Sequence, residues 1–230
     1  MPIDLIIFDC DGVLVDSEVI SCRMHAELLT RAGYPITADQ VFDRFLGRAD
    51  IESNREVERE LGRKLPDDFD TMLKQAVLDE LAVSVEGVPH IAETLTRIRQ
   101  KICVASSGTP DKIRTSLTRA NIHERLAPHI FSASQVKRGK PEPDLFLFAA
   151  RQMDVAPERC IVIEDSIPGI IGARAAGMTV LGFRGGAHYL EHPASAPSAE
   201  TLLRAGALVT FEDMRQLPAM IDKIAIGATL

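Results

Sequence analysis

The sequence predicts an α/β protein in which a doubly wound parallel sheet carries an inserted helical domain. The first observation behind this prediction is that, after residue 86, short apolar runs alternate with helical patterns of about 10 to 15 residues, which is typical of parallel βαβ units. The second is that residues 16–85 carry helical periodicity and no convincing strand, although an apolar strand precedes them. We therefore predict a discontinuous core of residues 1–15 and 86–230, interrupted by a helical domain of residues 16–85.

The predicted strands of the core are mostly continuous apolar runs, as expected for strands that are buried on both faces of a parallel sheet. They cover residues 5–8, 102–105, 131–133, 160–163, 179–183 and 207–211. The helices that accompany them are predicted at residues 91–100, 111–120, 144–153, 169–177 and 213–224.

Residues 184–200 have the weakest pattern in the core. Their glycines and prolines predict a surface loop of low order. His188 and His192 lie four residues apart, a spacing at which two histidines on one helix can bind a metal. Because Pro193 and the glycines argue against a stable helix, we expect both histidines in a surface loop.

The inserted domain has recognisable helix boundaries. Gly33 is expected to end a first helix that begins near residue 18. Thr37 and Gln40 form a capping box at the start of a second helix, which Gly47 would end. Two further helices are predicted at residues 51–61 and 67–81. Because the domain follows the first strand directly, it should lie over that strand's carboxyl end, where open α/β sheets bind ligands.

The composition limits the possible partners. With 230 residues, 46% of them hydrophobic, the chain can bury a substantial core. Its net charge of -7 argues against nucleic-acid binding, which needs a basic surface. The sequence shows neither a secretory signal nor an apolar run approaching the roughly 20 residues of a membrane span, so we expect a cytoplasmic protein without a membrane partner, as a monomer or weak dimer. The cysteines form no Cys-x-x-Cys pair and are expected to be small buried side chains.

The first predicted strand ends in Asp9-Cys10-Asp11-Gly12, which brings two carboxylates close together. Asp9 lies at the carboxyl end of the strand, and the side-chain period of two allows Asp11 to project in the same direction. Neighbouring carboxylates repel each other unless a cation neutralises them, and Mg²⁺, which prefers oxygen ligands, is suited to that role. The alternative is that Asp11 and Gly12 merely form a tight turn. Cys10 should point away from both carboxylates, into the core.

The second predicted strand of the core also ends in polar residues, Ser106, Ser107 and Gly108. Their hydroxyl and backbone N–H groups, next to the start of a helix, can hold a phosphoryl oxygen. The alternative is that Ser107 or Thr109 simply caps the helix that begins near Pro110.

Two further segments supply charge beside the predicted sheet. Lys140 precedes a helix opened by prolines, where it can neutralise an anion or remain a solvated surface residue. Glu164 and Asp165 follow a fully apolar strand. A preference for acidic residues at the start of a helix explains part of this pair, but not two acids directly after a buried strand.

These four segments lie at the same edge of the predicted sheet, and their order along the chain is informative. The motifs Asp9-Cys10-Asp11-Gly12-Val13, Ser106, Lys140-Pro141 and Glu164-Asp165-Ser166 resemble those of the haloacid dehalogenase superfamily, specifically its capped phosphatase branch, across nearly the whole chain. The resemblance implies a Rossmann-like parallel core with a helical cap inserted after the first motif. The helical pattern of residues 16–85 agrees with that expectation.

The resemblance also implies a role for each motif residue. Asp9 would be the nucleophile that attacks phosphorus and forms an aspartyl-phosphate. Asp11 would protonate the leaving alcohol and later deprotonate the attacking water. Ser106 and Lys140 would hold the non-bridging phosphoryl oxygens. The ligands of Mg²⁺ would be Asp9, the backbone carbonyl of Asp11, Asp165 and, directly or through water, Glu164.

Two alternatives to hydrolysis remain open at this stage. Sugar phosphomutases of the β-phosphoglucomutase type carry a cap histidine and a cap arginine, which would fall near Ser21 and Asp50. Neither residue matches, so hydrolysis is favoured, although His25 and Arg48 lie close enough to keep the mutase in view. The second alternative is a phosphorylation-controlled signalling module. The position of Asp9 on the first strand and the long helical insertion argue against it.

The choice of substrate is expected to depend on the cap. Besides Ser107 and Gly108, the resemblance points to Glu18, Arg48 and Asp50 as substrate-binding residues, although each of these charges can equally be a solvated surface group. Asp16-Ser17-Glu18-Val19-Ile20 is similar to the segment found in phosphatases of sugar phosphates and phosphorylated sugar acids. The expected partner is therefore a small phosphorylated metabolite such as 6-phosphogluconate.

Overall fold

The protein is described from a computed structural model, which covers residues 2–45 and 50–229, with only the backbone described for residues 50 and 51. Within these residues, six parallel strands form one sheet in the order β3-β2-β1-β4-β5-β6. The strands are β1 Leu5–Phe8, β2 Lys101–Ser106, β3 Ile130–Ser132, β4 Cys160–Glu164, β5 Thr179–Phe183 and β6 Val209–Phe211. The predicted α/β class with a doubly wound parallel sheet is confirmed.

Helices connect the strands along the chain and follow the last one. They are α1 Glu18–Arg31, α2 Ala38–Phe45, α3 Asp50–Leu61, α4 Phe69–Ser84, α5 Ile91–Arg97, α6 Pro110–Arg119, α7 His123–Leu126, α8 Asp144–Gln152, α9 Ile167–Ala175, α10 Ala187–Glu191, α11 Ala199–Ala205 and α12 Leu217–Ala225. In the described part of residues 16–85 the regular elements are α1 to α4, with no strand among them. The division into core and cap stays a prediction, with which this distribution of elements agrees.

The central strand β1 shows why a continuous apolar run was needed. Ile6 and Phe8 pack on one face of the sheet, in a cluster that includes Leu95 from α5, while Leu5 and Ile7 pack on the other. All four strand residues are fully buried. Burial of a side chain of this size contributes about 1.5–3 kcal/mol, so both faces of β1 stabilise the layer arrangement.

The helices α1 to α4 share an apolar cluster of their own, which contains Leu29, Phe42, Val57 and Leu73. The chain leaves and re-enters the core side by side, because the backbone N–H of Asp16 donates to the carbonyl of Glu86 at 3.0 Å. The two segments that join α1 and α4 to the sheet region therefore run next to each other, and Ile20 of α1 and Leu81 of α4 also pack in the cluster that contains Ile6 and Phe8.

Local signals at the start of the helical block behave as expected. Gly33, just after α1, has a φ of +88°, in the left-handed region expected of a residue that follows a helix. The capping box at the start of α2 is present: the Thr37 N–H donates to Gln40 Oε1 at 2.9 Å, and the Gln40 N–H donates to Thr37 Oγ1 at 3.2 Å. The predicted helix end at Gly47 lies outside the described residues.

Several predicted boundaries shift by a few residues. α5 ends at Arg97 rather than near residue 100, because Ile98 takes an extended conformation that leads into β2. α9 begins at Ile167, two residues earlier than predicted, because the Ser166 hydroxyl accepts a hydrogen bond from the Gly169 N–H and caps the helix.

The prediction of a surface loop of low order at residues 184–200 is wrong for residues 187–191, whereas residues 192–198 form no regular element. Residues Ala187–Glu191 form the short helix α10, and the side chain of His188 is only 4% exposed. The N–H of Ala187 donates to Asp16 Oδ1 at 2.7 Å, so a contact made with a distant part of the chain helps to fix the start of this helix. Such a contact overrides the local effect of the glycines and Pro193.

The four cysteines are buried and unpaired, as predicted, and Cys10 packs in the apolar cluster on one face of the sheet. None of the helices in the described residues is long and apolar enough to cross a membrane.

Candidate active site

Three adjacent strands bring the predicted site residues to one edge of the sheet. Register pairs Phe8 of β1 with Val104 of β2 and with Ile163 of β4. The polar residues that follow, Asp9, Ser106 and the Glu164-Asp165 pair, therefore lie near one another at the carboxyl edge. This is the consequence of parallel topology on which the sequence prediction depended.

Lys140 is part of this site and not a surface residue. Its side chain is 5% exposed, and its Nζ lies 2.5 Å from Asp9 Oδ1 and 2.7 Å from Glu164 Oε1. Burial alone would lower the pKa of Lys140, but the two carboxylates outweigh burial and raise it above its ordinary value. Lys140 is therefore a fixed positive charge between the ends of β1 and β4.

Asp9, Glu164 and Asp165 form a buried acidic cluster that fits a hard cation. One carboxylate oxygen of each lies within 4.8 Å of the other two. Burial raises the pKa values of Asp9 and Asp165, which means that these carboxylates lack sufficient positive charge around them even with Lys140 present. Mg²⁺ is bound by oxygen ligands of this type, so the donor set suits it.

The backbone next to the cluster leaves space for these carboxylates. Gly12 has a φ of +78°, and a Cβ added there would lie 2.2 Å from Asp165 Oδ2. Gly12 thus allows both the turn after Asp11 and the close approach of Asp165. The predicted Asp-Gly turn and the predicted metal site are therefore not true alternatives, because the turn makes room for the acidic cluster.

Glu164 is held in place by the start of α9. Its Oε2 accepts hydrogen bonds from the N–H of Asp165 at 2.9 Å, the N–H of Ser166 at 2.8 Å and the Ser166 hydroxyl at 2.9 Å. Its Oε1 accepts from Lys140. Both carboxylate oxygens are thus engaged by protein donors, which fixes the orientation of Glu164.

Asp11 lies in a different environment from Asp9. Its Oδ1 accepts a hydrogen bond from the Ser17 hydroxyl at 2.5 Å and lies 2.8 Å from Lys112 Nζ. Burial alone would raise the pKa of Asp11, but Lys112 and Ser17 outweigh it and lower the pKa below its ordinary value. The pKa values of the two aspartates are therefore shifted in opposite directions.

The residues after β2 divide between a structural and a site role. The hydroxyl of Ser106, which is fully buried, accepts from the Gly108 N–H at 3.0 Å and shapes the turn. Thr109 is the residue that caps α6, because its hydroxyl accepts from the Lys112 N–H at 3.3 Å. Ser107 is exposed and free to face a ligand.

A cavity of about 510 Å³ lies between this edge of the core and helices α1, α2, α3 and α4. Its core wall includes Ser107, Gly108 and Lys112. Residues that line its helical wall include Glu18, Ser21, His25, Val41, Phe45, Ser53, Leu73, Lys74 and Val77. Of the predicted cap residues, Glu18 lies in this wall, whereas Arg48 and the side chain of Asp50 lie outside the described residues.

Two residues at the site were missed by the sequence reasoning. The Nε2 of His188 lies 3.1 Å from Asp165 Oδ2, and the hydroxyl of Tyr189, the next residue, donates to the Asp165 carbonyl at 2.5 Å. This corrects the expectation that His188 belongs to a surface loop. Lys112 is the second, and its only sequence signal is its position in the first turn of a helix that follows Ser106-Ser107-Gly108. Most lysines in such a position are solvated.

Comparison with known proteins places the chain among proteins of similar length and fold. Residues 3–177 match the family model of haloacid dehalogenase-like hydrolases. The 6-phosphogluconate phosphatase of Escherichia coli (strain K12) is 31% identical over 221 residues, which cover 95% of this chain and 94% of that protein.

Solved structures show the same likeness. A conserved haloacid dehalogenase-like protein from Agrobacterium tumefaciens str. C58 has a TM-score of 0.85 and 38% identity, with 97% of this chain and 99% of that one covered. A hydrolase from Deinococcus radiodurans R1, solved with bound phosphate and sodium, has a TM-score of 0.81 and 30% identity, with 99% and 98% covered. The likeness therefore extends over nearly the whole chain.

Proposed function

We propose that this chain, which belongs to the haloacid dehalogenase-like hydrolases and is a phosphoric monoester hydrolase, is a Mg²⁺-dependent phosphatase. Its proposed substrate is a small sugar phosphate or phosphorylated sugar acid. The proposed reaction passes through an aspartyl-phosphate on Asp9. The observation that carries the proposal is the opposite environment of its two aspartates. Asp9 lies against Lys140 in the acidic cluster, whereas Asp11 is held by Lys112 beside the cavity.

In the proposed first step, a carboxylate oxygen of Asp9 attacks phosphorus and the bond between phosphorus and the leaving oxygen breaks. Asp11 gives its proton to that oxygen, so that a neutral alcohol leaves. Lys140 and Ser106 stabilise charge on the non-bridging oxygens, and the positions of Asp9 and Lys140, 2.5 Å apart, support this arrangement.

In the proposed second step, Asp11 takes a proton from a water molecule whose oxygen attacks phosphorus. The bond between phosphorus and Asp9 breaks, and inorganic phosphate and free Asp9 are formed. Because one residue gives a proton and later takes one, Asp11 must lie close to the leaving oxygen and then to the water.

Mg²⁺, held by Asp9, Asp165 and the Asp11 carbonyl, would supply positive charge for the phosphoryl oxygens. We propose that Glu164 acts through water and not as a direct ligand. The support for this is that both of its carboxylate oxygens already accept hydrogen bonds from Lys140, the Asp165 N–H and Ser166.

The proposed substrate class is a small phosphorylated sugar or sugar acid, of which 6-phosphogluconate is the first candidate. A cavity of about 510 Å³ lies in the range of small-molecule sites. The relative named 6-phosphogluconate phosphatase, which matches nearly the full length, supports the same choice.

A mutase is the second candidate, and a specific residue keeps it in consideration. The expected cap histidine falls at Ser21, which lines the cavity but cannot act as an acid or base in place of an imidazole. His25, one helical turn further along α1, also lines the cavity. Its Nε2 lies 3.2 Å from Asn54 Oδ1. An imidazole therefore lines the cavity, although not at the position that the mutases use.

The proposed function is tested by phosphate release from sugar phosphates and phosphorylated sugar acids, with Mg²⁺ and with EDTA. We expect release that requires Mg²⁺ and that the Asp9→Asn variant loses while retaining a cooperative unfolding transition. Release that persists in Asp9→Asn would contradict the assignment of the nucleophile. Isomerisation of a sugar phosphate without net release would instead support the mutase.

A further inference from the structure

We infer that Lys112 selects the substrate: its ammonium group binds an anionic substituent on the leaving alcohol, so that phosphomonoesters of acids are preferred over matched neutral esters. The inference rests on the proposed phosphatase function. It places a determinant of substrate specificity on the core, whereas the sequence predicted that substrate choice depends mainly on the cap. Lys112 lies between Asp11, which is catalytic in the proposed function, and the cavity.

The start of α6 directs Lys112 toward the site. Thr109 caps the helix, and Pro110 is its first residue, so Lys112 lies in the first turn with its N–H bonded to the Thr109 hydroxyl. From there its side chain reaches Asp11, with 2.8 Å between Nζ and Oδ1. The side chain is 25% exposed and forms part of the cavity wall, so its ammonium group is neither fully enclosed nor free in bulk solvent.

The ammonium group retains unused hydrogen-bonding capacity. A lysine has three N–H donors, and the ion pair that Lys112 forms within 4.0 Å among the described residues is the one with Asp11. Ser17 also donates to the same oxygen of Asp11, so Lys112 shares that acceptor. Donors of Lys112 that do not engage Asp11 can therefore bind a ligand in the cavity.

The acidic residues near Lys112 are Asp11, Asp111 and Glu18, and of these Asp11 forms the ion pair with it. Its neighbour in sequence, Asp111, is exposed and lies 2.9 Å from Arg114, so it is already paired. Burial raises the pKa of Glu18, the acid on the facing wall, although the charge of Lys112 itself opposes that shift. A substrate anion would therefore bind an ammonium group that already pairs with Asp11 and interacts electrostatically with Glu18.

The position of Lys112 next to Asp11 allows one leaving group to contact both residues. Asp11 must contact the leaving oxygen, and Lys112 contacts Asp11, so an anion bound by Lys112 belongs to the same leaving group. A carboxylate on a short flexible chain can reach both residues from one substrate molecule. A matched neutral alcohol can reach Asp11 equally well but leaves Lys112 with a hydroxyl group in place of a charge.

The test compares 6-phosphogluconate with sorbitol 6-phosphate, two open-chain esters that differ in whether the far end carries a carboxylate or a hydroxymethyl group. We expect the wild type to have the higher kcat/KM for 6-phosphogluconate. Lys112→Met should lower kcat/KM for the acid roughly 10- to 100-fold more than for the neutral ester, as expected for loss of a hydrogen bond to a charged group. Most of this extra loss should lie in KM.

Three variants control the experiment. Lys112→Arg keeps the charge and should keep most of the preference, whereas Lys112→Gln keeps a donor without the charge and should lose it. Lys74→Met removes an exposed lysine from the opposite wall of the same cavity and should leave the preference unchanged. Thermal unfolding of each variant identifies any loss that arises from misfolding.

The outcomes separate this inference from the proposed function. Equal losses for both esters in Lys112→Met would mean that Lys112 only positions Asp11, and would overturn the inference. Loss of the preference in Lys74→Met but not in Lys112→Met would overturn it as well. If the wild type hydrolyses both esters at the same rate, this inference alone fails, whereas no release of phosphate from any ester with Mg²⁺ would contradict the proposed function itself.

Discussion

Asp9 and Asp11 are separated by one residue but are contacted by different side chains. Asp9 lies 2.5 Å from Lys140 and close to two other buried acids, and burial raises its pKa. Asp11 contacts Lys112 and Ser17, which lower its pKa against the effect of burial. Two carboxyl groups with such different partners are suited to different roles in one reaction.

Lys140→Met is expected to abolish phosphate release and to destabilise the protein in EDTA by about 3–5 kcal/mol, because Asp9 and Glu164 would remain buried without their counter-charge. Phosphate release and urea unfolding measure the two effects. The matched control is Lys137→Met, three residues earlier and exposed, which should change neither. A Lys140→Met protein as stable as the wild type would argue against the buried ion pairs.

Gly169→Ala should disturb Glu164 directly. A Cβ at residue 169 would lie 1.7 Å from Glu164 Oε1, so the carboxylate must move from its contacts with Lys140 and Ser166. We expect a loss of stability of about 1–3 kcal/mol, as is usual for an overpacked site, and a higher Mg²⁺ concentration for half-maximal activity. Gly139→Ala is the control, since its Cβ would meet nothing closer than 3.5 Å. An unchanged Mg²⁺ requirement in Gly169→Ala would contradict a role for Glu164 in metal binding.

At the scale of elements, the first turn of α6 combines two functions that the sequence presented as alternatives. Thr109 caps the helix, as the structural interpretation predicted. The same turn directs Lys112 to Asp11, as required by a functional interpretation. The helix start is therefore part of the site because its geometry determines where Lys112 points.

Thr109→Ala should lower the free energy of unfolding by about 1 kcal/mol, because the Lys112 N–H loses its side-chain acceptor. Thr109→Ser keeps a hydroxyl and should retain most of that stability. Urea denaturation of the two variants beside the wild type measures the difference. Equal stability of Thr109→Ala and the wild type would show that the capping bond contributes nothing.

The helix α10 shows where local patterns mislead. Five residues are too few to form a stable helix alone, so nothing in the sequence of this segment predicts it. The segment is fixed by contacts with other elements. His188 and Tyr189 contact Asp165. The ring of His192 stacks on that of Phe42 in α2, with 4.1 Å between the ring centroids. It therefore connects the acidic cluster to the helical block.

At the scale of the whole molecule, Mg²⁺ should stabilise the folded chain, because the acidic cluster assembles only when β1 and β4 are paired. At a Mg²⁺ concentration of 100 Kd, the expected gain is about 2.7 kcal/mol relative to EDTA. Thermal unfolding with and without Mg²⁺ measures it. Asp165→Asn removes one acid of the cluster and should lose most of the gain, and a gain equal to that of the wild type would contradict the proposed ligand set.

The gain from Mg²⁺ should also increase with pH. Burial raises the pKa values of Asp9 and Asp165 in the folded state above the value of about 4 that they have in the unfolded chain. In EDTA, the contribution of these two carboxyl groups to stability is therefore fully present below the unfolded pKa. It is lost as the pH rises towards their raised pKa values in the folded state. A bound cation offsets this loss, so the difference in unfolding temperature between Mg²⁺ and EDTA should be larger at pH 8 than at pH 5. A difference that does not change with pH would contradict the link between these carboxylates and the metal.

The sequence by itself determined the class of fold and the edge of the sheet where the site lies. The physical reason is that β1, β2 and β4 are read from continuous apolar runs, and parallel topology brings the residues that follow them to one edge. Asp9, Ser106 and the Glu164-Asp165 pair could therefore be placed together from the apolar pattern and the chain order alone. Arg48 and Asp50 were predicted as substrate-binding residues from the resemblance to the haloacid dehalogenase superfamily, but their side chains lie outside the described residues.

Only the tertiary structure decided which charges contact which. Lys112 meets Asp11 across 101 positions of sequence, Lys140 meets Asp9 across 131, and His188 meets Asp165 through a helix that its own residues do not predict. Hydrophobic periodicity reports which face of an element is buried, but not the partner of a side chain that reaches from one element to another. The opposite pKa shifts of the two aspartates arise from those partners, and for this reason they appear only in the folded chain.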